Sequence, residues 1–192
     1  MLKPTLTPAD YRRAAAILNC EVAVIKAVSQ KESGGGGFLK GRILTVRFEG
    51  HIFREKTTGA FDKAYPSLSH RYQRNNPHNK GTVGDWRRLE AARKLAGVVA
   101  FTCASYGMFQ IMGFHFRLLG YANPYAMVQA CNETEGRQLD GFVQFIRQNG
   151  MAPLLRDHRF AEFANRYNGT DSDANDYGPD IQRLYEYYRT QD

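Results

Sequence analysis

The sequence lacks the features of metal-binding proteins, of disulfide-rich proteins and of membrane-spanning proteins. Its 192 residues include only three cysteines, Cys20, Cys103 and Cys131, and no CxxC pair, so we expect buried, reduced thiols. The five histidines form no HExxH motif and no cluster with cysteine, so we expect no metal site and no cofactor. The longest apolar run, Leu95–Phe101, is too short to cross a bilayer, and we expect no stable membrane insertion.

The chain also has no internal repeat, low-complexity tail or evident linker. Its length fits one domain with a sizeable core, so we expect a single domain over residues 1–192. The first ten residues, MLKPTLTPAD, contain no apolar stretch of the kind that a secretory signal requires. We therefore expect the protein to accumulate in the cytoplasm, and a target outside it would require another route of release.

The charge is unbalanced in favour of basic residues, with 26 Lys and Arg against 19 Asp and Glu and a net charge of +7. A basic protein favours polyanionic partners such as nucleic acid, an anionic membrane or the bacterial envelope. The charges are spread along the chain, with no helix-turn-helix, RNP-like or zinc signature, so we expect no nucleic-acid partner. A non-enzymatic basic module that binds glycan or nucleic acid stays open as an alternative of a different class.

The patterning is mainly helical. Thr7 is expected to cap a first helix with Pro8 at its first position, and EVAVIKAVSQKE predicts a second helix. A short β-strand or hairpin is expected near residues 42–49, where β-branched and aromatic residues are frequent. Gly150 and Gly169 are placed as C-terminal caps. Three apolar stripes at helical spacing predict amphipathic helices around Leu139–Ile146, Phe160–Tyr167 and Ile181–Tyr188.

The middle of the chain is harder to interpret. Residues 55–84 are polar, and so long a loop is uncommon, so we expect a short helix or a flap within them. Asp85 is predicted to cap the helix DWRRLEAARKLAG. Ser105 is predicted to cap a further helix in ASYGMFQIMGFH, where Gln110 is the one polar residue among apolar neighbours.

The end of the second helix raises a chemical question. Ile25, Val28 and Glu32 are separated by steps of three and four, so the helix aims Glu32 at the core. Burial disfavours the charged carboxylate and raises its pKa, which suits a general acid in glycosidic bond cleavage. The alternative is a solvated glutamate at a helix end. The four glycines Gly34–Gly37 would let backbone pass close to a bulky ligand, or they serve only as a helix stop and flexible joint.

Four segments in this order resemble the lysozyme-like superfamily and, more closely, the N-acetylmuramidase domain of phage endolysins. The segments are ESGGGGF (32–38), LTVRFEGHIF (44–53), ASYGMFQIMG (104–113) and RYNG (166–169). The resemblance spans the chain from about Thr7 to Tyr188. It departs from the family pattern at Tyr106, where Trp is usual, and at Gly50, where Arg is common.

The resemblance implies a lysozyme-like helical fold and hydrolysis of the β-1,4 bond between N-acetylmuramic acid and N-acetylglucosamine. The partner would be peptidoglycan glycan strands, and the biological role host cell lysis, after the protein leaves the host cytoplasm. A monomer is expected, with no separate cell-wall-binding module. Glu32 would be the catalytic acid, and the same carry-over makes five residues line, brace or contact the substrate cleft: Ser105, Tyr106, Gln110, Tyr167 and Asn168.

The second catalytic carboxylate is less certain than the first. Glu49 falls on the family's glutamate and would activate water or stabilise positive charge on the sugar. Alternatively it pairs with Arg47 or Arg54, and Asp62 and Asp85 are weaker candidates for its role. A lytic transglycosylase, which yields 1,6-anhydromuramic ends and needs no water-activating base, is the nearest alternative reaction.

Overall fold

A computed structural model describes residues 1–33, 36–73, 78, 81–169 and 177–191. In chain order the helices are α1 (Pro8–Leu18), α2 (Val22–Ser33), α3 (Gly50–Lys56), α4 (Gly81–Ala96), α5 (Pro124–Cys131), α6 (Glu135–Gln148), α7 (Ala152–Arg156), α8 (Phe160–Asn168) and α9 (Tyr177–Arg189). The strands are β1 (Phe38–Leu39), β2 (Ile43–Leu44), β3 (Val46–Phe48), β4 (Ala104–Tyr106) and β5 (Ile111–Met112). Two 3₁₀ segments, Gly97–Cys103 and Gly113–His115, complete the elements.

The chain divides into two compact units. Unit 1 contains Met1–Lys3 and Gly36–Glu133, and unit 2 contains Pro4–Gly35 and Thr134–Asp192. Unit 1 therefore carries all five strands and helices α3 to α5, whereas unit 2 is built from α1, α2 and α6 to α9. The mainly helical prediction is confirmed, and so is the strand segment near residues 42–49.

Unit 2 packs helices whose ends the sequence marks clearly. The Thr7 side chain accepts a hydrogen bond from the Asp10 amide, and the Asp10 carboxylate accepts one from the Thr7 amide, which forms a capping box ahead of Pro8. Most of the three predicted stripes are buried on the inner faces of α6, α8 and α9. Gly150 and Gly169 follow α6 and α8 with φ of 65° and 84°, as expected for C-terminal caps.

The strands of unit 1 correct one prediction. Strands β3, β4 and β5 form an antiparallel sheet in that order, with Arg47 opposite Ser105 and Ser105 opposite Met112. Ser105 therefore lies in a β-hairpin and caps no helix. The apolar residues of this segment pack as a hairpin because Gly107, at φ 72°, allows the tight turn between the two strands.

A second correction concerns Asp85. Helix α4 begins at Gly81, so Asp85 lies inside the helix and is buried instead of capping it. Its Oδ1 accepts a hydrogen bond from Arg88 Nη1 at 2.9 Å, and Arg88 also donates to the carbonyls of Phe48 and Ser67. The Arg88 guanidinium compensates the charge of the Asp85 carboxylate and so offsets the cost of burying it. The prediction of a short helix or a flap within residues 55–84 is tested only in part: residues 57–69 form hydrogen-bonded turns, residues 81–84 belong to α4, and residues 74–77, 79 and 80 lie outside the described residues.

The three cysteines and the apolarity of the helices bear on two predictions, that of buried, reduced thiols and that of no stable membrane insertion. All three cysteines are free, with Cys103 and Cys131 buried and Cys20 partly exposed. Burial raises the pKa of the Cys103 thiol to about 11 and that of Cys131 to about 12, so both favour the thiol form. Among the helices that the structure describes, none combines the length and apolarity required to span a bilayer.

The hairpin of unit 1 depends on close backbone packing at Gly113. A Cβ built there would lie 2.0 Å from the Phe101 carbonyl oxygen, which also accepts the Tyr106 hydroxyl at 2.9 Å. Gly113→Ala should therefore destabilise the fold by about 3 kcal/mol, measured by chemical denaturation. Gly120→Ala is the control, because Gly120 has φ 85° but open space around it, and should cost about 1 kcal/mol. Equal losses for the two variants would contradict this packing argument.

Candidate active site

Glu32 lies in the last turn of α2, in unit 2. The helix buries Ile25 and Val28 completely and brings Glu32 onto the same side, so its side chain is only partly exposed. Oε1 of the carboxyl is buried and has no hydrogen-bond partner within the described residues. This burial raises the pKa of Glu32 to about 7, against the opposing effects of a hydrogen bond from Asn168 and the charge of Lys31. Near neutral pH the group can therefore hold a proton and release it.

Helix α8 supplies the residues next to this carboxyl. The Tyr167 ring packs against Phe142, Phe145 and Phe163 at centroid distances of 5.6 to 5.8 Å, and it stacks on Phe163. Burial, and then the charge of Glu32, raise the pKa of Tyr167 well above its usual range, so the phenol stays neutral. Asn168, at the exposed end of the helix, hydrogen-bonds Glu32 with its side chain. The aromatic packing thus fixes the end of the helix that supports the carboxyl.

Helix α9 holds the other side of the α2 terminus. Lys31 pairs with Asp180, and its ammonium lies 4.3 Å from the Tyr177 ring centroid. Asp180 also pairs with Arg183 on its own helix. Burial and then the charge of Glu32 raise the pKa of Tyr177. The ion pair partly neutralises the positive charge that Lys31 would otherwise direct at Glu32.

Glu49 belongs to unit 1 and has a different environment. It follows β3 as the residue before α3, and its side chain is 18% exposed. Its Oε1 lies 3.0 Å from Arg47 Nε and its Oε2 lies 3.5 Å from His51 Nδ1. The predicted alternative of a pair with Arg47 is therefore present. Arg47 is itself largely exposed, so the ion pair is weak and open to replacement.

The two weaker candidate carboxylates are already engaged in the fold of unit 1. Asp62 accepts hydrogen bonds from Ser69 and from Arg54 Nε, and these contacts hold its pKa below the usual range. Burial raises the pKa of Asp85, and its partner Arg88 fixes it inside α4. Both residues therefore have structural partners that account for their positions.

The β4–β5 hairpin of unit 1 places three further predicted residues. Ser105 Oγ donates to Gln110 Oε1 at 2.8 Å, and Gln110 Nε2 donates to the Gly107 carbonyl at 2.8 Å. Tyr106 is only 2% exposed, and its hydroxyl donates to Phe101. Tyr106 can therefore brace the hairpin but offers no surface for direct contact with a sugar. Gln110 adopts φ 47°, so its side-chain contacts stabilise a tight turn.

The glycine segment after Glu32 is described in part. Gly34 and Gly35 lie outside the described residues. Gly36 adopts φ 91°, a conformation that favours glycine, and the amide of Thr45 donates to the Gly37 carbonyl at 3.0 Å. The turn itself thus requires a glycine at position 36. Both interpretations of the segment, a joint and a passage for a ligand, are compatible with this geometry.

Seven predicted site residues thus fall into two groups. Unit 2 brings Glu32, Tyr167 and Asn168 together, and unit 1 contains Glu49 and the hairpin residues. The sequence reasoning missed Lys31, Tyr177 and Asp180 around the carboxyl, since no local pattern signals an ion pair between helices so distant in sequence. Among the described residues, no group of three or more His, Cys, Asp or Glu side chains could hold a metal ion.

Comparison with known proteins agrees with this architecture. A model of the N-acetylmuramidase family matches residues 21–189. The endolysin of Enterobacteria phage PRD1 is 32% identical over 104 residues, which cover 47% of this chain and 68% of that protein. The crystal structure of the Burkholderia AP3 phage endolysin matches 97% of this chain and 72% of its own, with a TM-score of 0.87 and 35% identity. The fold is accordingly lysozyme-like and mainly helical.

The unusual pKa of Glu32 has a consequence for stability. In the unfolded chain the carboxyl loses its proton near pH 4.5, whereas the folded chain holds it until about pH 7. Its contribution to stability is therefore fully present below pH 4.5 and is lost as pH rises to 7. Relative to wild type, Glu32→Gln should gain about 2–3 kcal/mol in free energy of unfolding between pH 4 and pH 8, measured by denaturant titration.

The control for this experiment is Glu162→Gln. Glu162 pairs with Arg159 on the surface of the same unit, and the hydrogen bond from Arg159 lowers its pKa. This variant should gain no stability as pH rises. If the free energies of unfolding of Glu32→Gln and wild type differ by the same amount at pH 4 and at pH 8, burial of the Glu32 carboxyl would be contradicted.

The Lys31–Asp180 pair should tune the Glu32 carboxyl. In Asp180→Asn, Lys31 loses its counter-charge, so the pKa of Glu32 should fall; in Lys31→Met it should rise. A ¹³C NMR titration of the glutamate side-chain carboxyl groups measures both. Asp140→Asn, which removes the partner of Arg13 on the surface of unit 2, should leave the Glu32 pKa unchanged. An unchanged or raised pKa in Asp180→Asn would contradict this role of the pair.

Proposed function

Since the chain belongs to the N-acetylmuramidase family and is a glycoside hydrolase that acts on peptidoglycan, we propose that it cleaves the β-1,4 bond between N-acetylmuramic acid and N-acetylglucosamine, with Glu32 as general acid. One observation carries this proposal: Oε1 of the Glu32 carboxyl is buried without a hydrogen-bond partner in the described chain, and this burial raises its pKa to about 7. Near neutral pH a carboxyl with this pKa is partly protonated. It can therefore donate a proton to the glycosidic oxygen of the leaving group.

The reaction begins with proton transfer from Glu32 to the glycosidic oxygen. As the bond breaks, positive charge develops on the sugar ring. Protonated Glu32 is neutral, so no charge is buried before the transfer. After the transfer its carboxylate is stabilised by the Asn168 hydrogen bond and by the charge of Lys31. These two contacts favour the charged form and therefore the product of the transfer.

Glu49 is proposed as the second carboxyl group. Its Oε1 contacts the Arg47 guanidinium, whereas Oε1 of Glu32 is buried without a hydrogen-bond partner in the described chain. A carboxyl group in contact with a guanidinium suits either role required here, which is activation of a water molecule or stabilisation of the positively charged sugar. Because Arg47 is exposed, an incoming substrate can displace it from the carboxylate at little cost.

The remaining predicted residues receive more limited roles. Asn168, expected to contact sugar, is proposed to orient Glu32 as well, through the hydrogen bond between their side chains. Tyr167 supplies the wall next to the carboxyl. Ser105 and Gln110 hold the β4–β5 turn by their mutual hydrogen bond, and Tyr106 braces it from inside the fold. Side chains that are fixed by packing in this way preorganise a site before substrate arrives.

The biological setting is also a proposal. We propose that residues 1–192 form a single catalytic domain, active as a monomer, that reaches the cell wall from the host cytoplasm during phage-induced lysis. The net charge of +7 would concentrate the protein on an anionic envelope.

Mass spectrometry of digested peptidoglycan tests the reaction. Wild-type protein should release fragments with reducing N-acetylmuramic acid ends. Glu32→Gln should lower the rate at least about 100-fold, because the amide has no proton to donate. Glu162→Gln, an exposed residue of the same unit, serves as the matched control and should retain wild-type activity.

Other products would lead to other conclusions. Fragments with 1,6-anhydromuramic ends would identify a lytic transglycosylase and remove the role of Glu49. Reducing N-acetylglucosamine ends would place the cleavage at the other glycosidic bond. Full activity in Glu32→Gln would contradict the assignment of the acid. Glu49→Gln should lower the rate about 100-fold while leaving the ends of the products unchanged.

A further inference from the structure

Unit 1 contains a cavity that the proposed reaction does not use. Its volume is about 600 Å³, within the range of about 300–1,000 Å³ that is typical of small-ligand sites. Helix α4, the 3₁₀ segment Gly97–Cys103 and helix α5 line it. None of the residues assigned above to catalysis or substrate binding is among its lining residues.

One part of the lining is aromatic and apolar. Phe101 and Tyr125 lie with ring centroids 5.3 Å apart, and Tyr125 is 48% exposed. Trp86 donates its Nε1 hydrogen to the Leu44 carbonyl at 2.8 Å, so the indole offers the cavity its apolar surface and no free donor. Val98, 59% exposed, extends this surface outward. A ligand of this cavity must therefore present a flat apolar face.

The other part of the lining is polar but has no net charge. Arg93 donates from Nε and Nη2 to the two carboxylate oxygens of Glu90, at 2.8 and 2.6 Å. Gln129 on α5 and Asn132, the residue directly after α5, contribute exposed amide side chains. The lining thus offers donors and acceptors together, with its two charges compensated.

We propose that this cavity binds an uncharged N-acetylhexosamine unit of a glycan chain. A pyranose ring combines an apolar face, suited to the aromatic rings, with hydroxyl and acetamido groups that match the amides of Gln129 and Asn132. An anionic group, such as a lactyl carboxylate or a peptide carboxylate, would find Arg93 already paired with Glu90. A purely apolar ligand would displace water from the two amides without replacing its hydrogen bonds, at a cost in desolvation.

The inference deepens the proposed function and rests on it for its biological meaning. A second contact with a polymeric substrate keeps the enzyme on the insoluble wall between cleavage events, because rebinding occurs at high effective concentration. Cleavage of short soluble fragments gains nothing from such a contact. The cavity should therefore matter for intact wall and not for small fragments.

The single tryptophan of the chain provides the measurement. Trp86 lines the cavity, so its fluorescence reports on the occupancy of the cavity. Tri-N-acetylchitotriose is added to full-length Glu32→Gln protein, which cannot cleave it by the proposed mechanism. A saturable change in emission is expected, and Tyr125→Ala or Gln129→Ala introduced into this protein should weaken the apparent affinity about tenfold. Tyr187→Ala, an exposed tyrosine of unit 2, is the matched control and should bind as the parent protein does.

Three results would overturn the proposal. One is the absence of a saturable response in protein whose thermal unfolding shows it to be folded. Another is an unchanged affinity in both Tyr125→Ala and Gln129→Ala, which would place the sugar elsewhere. The third is equal binding of cellotriose, which has the same ring but no acetamido group, and which would contradict the specificity for N-acetylhexosamine.

Activity assays separate this proposal from the proposed reaction. In the otherwise wild-type chain, Tyr125→Ala and Gln129→Ala should keep the rate on soluble peptidoglycan fragments and lose several-fold on intact sacculi. If both variants hydrolyse intact sacculi as fast as wild type does, the role of the cavity would be overturned while the catalytic assignment stays intact. Absence of any product from wild type would remove the proposed reaction, whereas the fluorescence titration would still decide whether the cavity binds sugar.

Discussion

The site in unit 2 depends on the burial of one carboxyl group at the end of α2. Burial is what gives Glu32 a pKa of about 7 rather than that of an ordinary surface glutamate. The position of the carboxyl follows from helix packing, since Ile25 and Val28 anchor α2 in the core and Lys31 joins its last turn to Asp180 on α9. Helix α8 closes the other side with Asn168. The same packing that stabilises the helical unit therefore buries the Glu32 carboxyl and raises its pKa.

The two glutamates assigned to the proposed reaction lie in different environments. Glu32 has a buried oxygen without a hydrogen-bond partner in the described chain, whereas Glu49 lies within reach of Arg47 and His51. An apolar environment favours the neutral acid, which accounts for the raised pKa of Glu32. Keeping a carboxyl partly buried reduces stability at neutral pH, which is a common consequence of building an acid into a fold.

The sequence predicted the elements whose signals are local. Thr7 with Pro8 and the glycines after α6 and α8 mark helix ends through contacts within one turn, and the step from Ile25 to Glu32 follows from helical periodicity alone. It failed where tertiary contacts override local preference. Asp85 resembles a cap but is buried inside α4 because Arg88 compensates its charge, and Ser105 lies in a strand because β3 pairs with it. Arg88 follows Asp85 by only three residues, but its other partners, the carbonyls of Phe48 and Ser67, are distant in sequence, as β3 is from Ser105.

The most direct test compares the pH dependence of the rate with the titration of Glu32 itself. The hydrolysis rate of solubilised peptidoglycan is measured from pH 5 to pH 9, and the Glu32 carboxyl is titrated by NMR in the same buffers. If Glu32 is the general acid, the rate should fall with rising pH through a midpoint that coincides with the carboxyl titration, near pH 7. A Glu32 that titrates near 4.5, or a rate that stays constant while Glu32 loses its proton, would contradict the account.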